Sequence, residues 1–354
     1  MQLSRTAVVI VISLCLFPGY CCDDSGIKVW SYHEDTATVT YILPRSRFRT
    51  TLLAKQFCSN FLNFNYFLYY PRPSKWGILS QKWWMCSKGK LQSPININPK
   101  QIIYDSNLPP LMTDENLALI DLVNTGQMPR IRIANTQRWP SLNVTGGPLG
   151  IYRYRLLRVD IHYSMNETTG SEHSFDHKKL PMELQAIAIN SEIYGNFSAA
   201  LNNPHGIVGI STFVKLGKHT SKELKLLSDK VHQISYKRQA VVMQNFALWK
   251  LLPTNAGYIT YEGSMTTPGC QETVTWILLN QPLHISVRTL DRWRKLQKTL
   301  TSNGKNLFIA PNYRSLQSTN GRIIRTNIRM NPDNNDGHCL TNIRTLSYNL
   351  NDNR

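Results

Sequence analysis

The residues best placed to do chemistry lie in two short runs. In Arg158-Val159-Asp160-Ile161-His162-Tyr163-Ser164 the β-branched and aromatic residues favour a strand. Alternate side chains on a strand share a face, so Asp160 and His162 point the same way. In Glu183-Leu184-Gln185-Ala186-Ile187 the same period puts Glu183 beside Gln185. If the two strands are neighbours, Asp160, His162 and Gln185 converge on one point. A carboxylate, an imidazole and an amide so placed could ligate a metal ion. The other reading is structural, a strand histidine whose hydrogen bonds are satisfied inside the fold. The two runs alone leave both open.

The elements that must hold these runs are mostly β. Residues 152–163, 182–189, 207–216, 258–263 and 273–279 read as strands. Residues 221–231 and 286–300 read as helices. The second carries Leu290, Trp293, Leu296 and Leu300 on one stripe and a basic remainder that reads as a solvated face. Of 354 residues, 42% are apolar and 18% charged, enough for a sizeable core and too apolar for a disordered chain. The net charge of +18 favours acidic partners. No glycine-rich phosphate loop, zinc-finger spacing or heptad repeat occurs, so nucleotide, nucleic-acid and coiled-coil functions are poor readings.

Residues 1–22 read as a signal peptide, with Arg5, an apolar run at 7–16 and a break at 18–22. No later stretch is apolar enough to span a bilayer, so the mature chain is expected to be secreted, without a transmembrane segment. Residues 23–73 read as a poorly ordered extension or insertion and 321–354 as a polar tail, leaving 74–320 as one folded domain. Seven cysteines without a C-x-x-C pair suggest disulfides rather than zinc. Glycan sequons at Asn143, Asn166 and Asn196 agree with a secretory route.

Five further motifs occur in one order: Lys75-Trp76-Gly77, Gln92-Ser93-Pro94-Ile95-Asn96-Ile97, Gly170-Ser171-Glu172-His173, Tyr261-Glu262-Gly263-Ser264-Met265-Thr266-Thr267-Pro268 and Val274-Thr275-Trp276. With the two strand runs they make the chain resemble an α-carbonic anhydrase. The resemblance implies a single β-dominated mixed α/β domain, built on a large twisted, mostly antiparallel central sheet with peripheral helices and a conical cleft. Catalysis in that family uses Zn²⁺ on three histidines, which lowers the pKa of bound water to about 7.

Carried over residue by residue, the zinc-ligand positions fall on Asp160, His162 and Gln185, and the proton-shuttle position falls on Gln127. Glu172 with Thr266, then Thr267, Glu183 and the wall residue Trp276, match the rest of the family's site. A carboxylate ligand reduces the charge facing bound water, an amide oxygen is a weak zinc ligand, and glutamine does not titrate near neutrality. Zinc is therefore expected to be absent, no other cofactor is implied, and the chain is expected not to be an enzyme. The alternative is residual or altered metal-dependent carbonate dehydratase-type activity through Asp160 and His162.

Finer motifs are similar to those of the secreted, acatalytic carbonic anhydrase-related proteins numbered ten and eleven. They are Val29-Trp30-Ser31-Tyr32, Tyr104-Asp105 with Leu108-Pro109-Pro110-Leu111, Gly146-Gly147-Pro148 and Arg325-Thr326-Asn327-Ile328. That resemblance implies an extracellular glycoprotein binding a cell-surface protein, neurexin-like, with no nucleic acid partner. It also implies a Cys86–Cys270 disulfide, and it leaves Cys58 and Cys339 unassigned.

Overall fold

The structure, a computed structural model, describes residues 73–300 and 307–328. The leader, residues 23–72 with Cys58 and the Val29 motif, and everything beyond 328 with Cys339 lie outside the described residues.

A 13-stranded sheet organises the domain. Its path runs Ala240–Phe246, Ala118–Asn124, Pro129–Ile133, Tyr154–Tyr163, Met182–Asn190, Ile207–Leu216, Val274–Leu279, Tyr258–Gly263, Ile324–Thr326 and Ile102–Tyr104. Along it only Ile207–Leu216 with Val274–Leu279 and Ile324–Thr326 with Ile102–Tyr104 are parallel pairs, so the sheet is mostly antiparallel, as expected.

The alternation of side chains decides what each face carries. In Met182–Asn190 every residue is buried. Met182, Leu184, Ala186 and Ala188 join Val159, Ile161 and Tyr163 in the larger apolar cluster. Ile187 and Ile189 join Trp276 and Phe213 in a second cluster. Glu183 and Gln185 share that second face by period, so the sheet buries four acidic or amide atoms beside an apolar layer. Only dense hydrogen bonding makes that tolerable.

The larger cluster is closed by two helices, Lys222–Lys230 and Val287–Arg294. Leu224, Leu227, Leu290 and Trp293 point into it, and the Trp293 indole donates to Ser228 Oγ at 2.8 Å, pinning the helices together. Ser286 caps the second helix through Thr289 N–H. The helix expected over 286–300 stops at Arg294. Beyond Lys295 the backbone bonds elsewhere: Gln297 N–H donates to Ser235 O, Lys298 N–H to Leu307 O, and Ile309 N–H to Leu296 O. Leu300, the outermost residue of the expected stripe, is exposed.

The folded part also reaches into the stretch read as a polar tail. Ile324–Thr326 is a strand with Ile324 and Thr326 buried and Arg325 outside, bonded to Asp105. Its period-2 pattern, not its polar composition, is what the sheet uses.

Candidate functional site

The expected convergence is present. Asp160 lies directly across from Gln185 and His162 from Glu183, while Gln185 faces Ser211 on the next strand. Asp160, His162, Glu183 and Gln185 are all buried on the face opposite the helices. Glu172 and His173 arrive from the loop before Ser174–Phe175, and Thr266 follows the strand Tyr258–Gly263.

Asp160 is held by two arginines that sequence reasoning did not single out. Arg130, its cross-strand neighbour, donates from Nε to Oδ1 at 2.5 Å and from Nη2 to Oδ2 at 3.1 Å. Arg158 donates from Nε to Oδ2 at 3.1 Å and stacks on the Phe197 ring, 4.7 Å from its centroid. Burial pushes the Asp160 carboxyl up, but Arg130 and Arg158 outweigh it and hold the pKa at about 2. Arg158 carried a local signal, two residues before Asp160 on the same run, whereas Arg130 depends on a strand pairing that the sequence does not mark.

Gln185 is the second closed position. Its Nε2 donates to Glu172 Oε2 at 3.0 Å and to Glu183 Oε1 at 2.9 Å, and its Oε1 accepts from Thr266 Oγ1 at 3.3 Å. The amide orientation follows from chemistry, since ionised carboxylates only accept. The expected Thr266–Glu172 pair is therefore corrected: Gln185 stands between them, offering the hydroxyl an acceptor and the carboxylate a donor.

Glu183 is saturated. Its Oε2 accepts from the backbone N–H groups of Glu172 and His173, and its Oε1 from His173 Nδ1 and Ser211 Oγ, all at 2.8–2.9 Å. Burial pushes its pKa up, but His173 and the hydrogen bonds from His173 and Gln185 outweigh that and hold it at about 2. Glu183 accepts from His173 Nδ1, and the other ring nitrogen, Nε2, lies 2.7 Å from Tyr261 OH, which in turn contacts Ser93 Oγ at 2.9 Å. This Ser93–Tyr261–His173–Glu183 chain is wholly buried, and burial pushes the Tyr261 hydroxyl well up.

His162 Nδ1 donates to the Asn312 carbonyl at 2.6 Å, and Asn312 also accepts from Tyr163 N–H and donates to Ile161 O. Two residues on, Arg314 N–H donates to Glu172 Oε1 at 2.8 Å, and its buried guanidinium donates to the carbonyls of Ser93 and Cys86. No local pattern marks Asn312 or Arg314, because their partners lie about 140–230 residues away in sequence.

The remaining expected residues are more peripheral. Gln127 is half-buried in the turn between Ala118–Asn124 and Pro129–Ile133, its N–H on Thr125 Oγ1. Thr267 is half-buried, and Trp276 is buried with its indole on Ser264 O. Cys86 and Cys270 form a disulfide. Asn166 and Asn196 are exposed, whereas Asn143 is half-buried and bonded to Asp114.

The residues present do not fit zinc. A metal-ligating histidine keeps one ring nitrogen on an outer acceptor, as His162 does with Asn312. Asp160, however, has its two oxygens committed to guanidinium groups, and the Gln185 amide is spent on Thr266 and two carboxylates. A dication there would face Arg130 and Arg158 across a buried carboxylate.

The family model for eukaryotic-type carbonic anhydrase matches residues 71–328. The chain is 42% identical over 260 residues to a Caenorhabditis elegans protein named "Putative carbonic anhydrase-like protein 2", spanning 73% of this chain and 77% of that one. It is 36% identical over 319 residues to "Putative carbonic anhydrase-like protein 1" of the same organism, spanning 73% of this chain and 87% of that one. With the sheet, the order of the motifs and the match in agreement, the chain belongs to the eukaryotic-type carbonic anhydrase family, on its carbonic anhydrase-related side.

Proposed function

We propose that this chain is a non-catalytic, secreted member of the family that acts by surface recognition of a cell-surface protein. The observation that carries the reading is the pair of closed bonding networks at two of the expected zinc-ligand positions. Arg130 and Arg158 sequester Asp160, and Gln185 occupies Thr266, Glu172 and Glu183. Hydration of CO₂ needs an activated water beside an open ligand set, and these side chains spend their donors and acceptors on one another. Secretion is supported by the leader-like residues 1–22 and by the exposure of Asn166 and Asn196. A neurexin-like receptor is the partner class that the resemblance implies.

The test uses the full chain secreted from animal cells. Metal analysis should find zinc far below one per chain, and stopped-flow hydration should match buffer. Stoichiometric zinc with turnover would overturn the non-catalytic reading. Binding to cells displaying a neurexin-type ectodomain, compared with cells lacking it, tests the partner separately; equal binding would overturn that assignment.

A further inference from the structure

We propose that the surface formed by the helices Lys222–Lys230 and Val287–Arg294 binds a sulfated glycosaminoglycan chain. Residues 215–238 and 286–298 hold twelve Lys and Arg against three Asp and Glu, a net +9 of the chain's +18. The three acidic groups are already matched. Asp229 takes Lys225 and Arg292 at 2.7 and 2.6 Å, Asp291 takes Arg294 at 2.8 Å, and Glu223 lies 3.7 Å from Lys250. Lys218, Lys222, Lys230, Arg288 and Lys295 are exposed and make no ion pair among the described residues.

Spacing turns this excess into a surface. Arg288, Arg292 and Lys295 recur at four and three residues, so they form one stripe along the second helix, in which Arg292 already faces Asp229 while Arg288 and Lys295 on either side of it are exposed and make no ion pair among the described residues. Beside the stripe is a cavity of about 270 Å³ with His232, Arg292 and Lys295 around a floor of Val231 and Leu296. It is smaller than the pockets that swallow whole ligands, and it suits one sulfated group of a longer chain.

Among polyanions, a sulfated glycan fits best. Single-stranded nucleic acid binding without base readout relies on aromatic stacking platforms, and of the Phe, Tyr and Trp residues in these two segments Trp293 is fully buried and Tyr236 half-buried. Anionic lipid is concentrated on the cytoplasmic leaflet, and here the choice rests on the extracellular reading above.

The probe is soluble heparin, titrated against the full chain at several salt concentrations. The triple variant Lys222→Gln, Arg288→Gln, Lys295→Gln removes exposed groups that hold no part of the fold. It should lower the slope of log affinity against log salt by about three, with at least about tenfold weaker binding at physiological salt. The charge-matched variant Lys82→Gln, Lys100→Gln, Lys178→Gln, exposed on other elements, should bind as the wild type does. Equal loss in both variants, or no loss in the first, would overturn the site. Equal affinity for desulfated heparin, for single-stranded DNA or for phosphatidylserine vesicles would overturn the glycan. Zinc content and turnover are read on the same samples, and because the site lies across the sheet, failure here leaves the non-catalytic reading standing.

Discussion

Asp160→Asn isolates the charge that most distinguishes this site. In the wild type the Asp160 carboxyl sits at a pKa of about 2 against an ordinary 3.8, because Arg130 and Arg158 overcome the cost of its burial. At about 1.4 kcal/mol per unit, the ionised form contributes about 2 kcal/mol to folding at neutral pH. The variant loses that and leaves two partly buried guanidinium groups facing a neutral amide. Their side chains are 24% and 15% exposed, so water recovers part of the loss and the full 3–5 kcal/mol typical of a broken buried pair is an upper bound. The expected cost is about 2–3 kcal/mol, or roughly 4–12 °C in Tm for a domain of this size.

The pH dependence gives the sharper check. The folded pKa is depressed, so the stabilisation is complete above the unfolded value and is lost as pH falls through the folded one. The gap between wild type and variant in urea titrations should be full at pH 7, narrow below about pH 5, and be about half at pH 3. A gap under about 0.5 kcal/mol at pH 7, no more than an ordinary surface change, would refute the clamp. So would a gap of constant size down to pH 3, which would point to packing rather than charge.

Restoring imidazoles with Asp160→His and Gln185→His should not by itself recover zinc, because Arg130 and Arg158 would then face the ion with no carboxylate between. Adding Arg130→Gln and Arg158→Gln should allow uptake, and metal analysis showing stoichiometric zinc in the double variant would count against this account. Replacing Cys86 and Cys270 with serine opens a loop with a sequence separation of 184 and should cost about 2–5 kcal/mol, read from urea midpoints. Glycosidase treatment of protein secreted from animal cells should lower its mass, and loss of the shift in Asn166→Gln, Asn196→Gln would assign it to those exposed sites. An unchanged wild-type mass would count against the secretory route.

The central strands were legible because they are buried on both faces. The runs read at 207–216 and 258–263 are the strands Ile207–Leu216 and Tyr258–Gly263, and the other central strands shift by one or two residues. The edge strand Ala240–Phe246 is mostly exposed or half-exposed, with Val242 exposed, so burial imposed little apolar pattern on it to read. Ala118–Asn124 did carry a signal, Ile120 and Leu122 alternating before the Asn-Thr-Gly turn. In the site, period 2 brought Asp160, His162 and Gln185 together, but it said nothing about what each would bond. Arg130 could be placed only once Pro129–Ile133 was known to pair with Tyr154–Tyr163. Asn312 and Arg314 bond to the site from about 140–150 residues beyond its strands, which no local rule dictates.

The side chains at 160 and 185 each come with a set of partners rather than as bare losses. A buried carboxylate at 160 would be untenable without compensation, and Arg130 and Arg158 supply it from the two paired strands. At 185 a neutral histidine has one donor and one acceptor, too few to donate to both Glu172 and Glu183 while accepting from Thr266. Glutamine does all three. No side-chain oxygen or nitrogen of Asp160, Glu172, Glu183 or Gln185 is left buried without a partner. Reverting one position alone therefore breaks bonds that the others now depend on, and the cost of each change should depend on whether its partners have also changed. That coupling is measurable. Asp160→Asn with Arg130→Gln should cost less than the two single changes added together, because each already removes the same ion pair, whereas Asp160→Asn with Asp229→Asn, whose partners Lys225 and Arg292 lie on the helices across the sheet, should come close to additive.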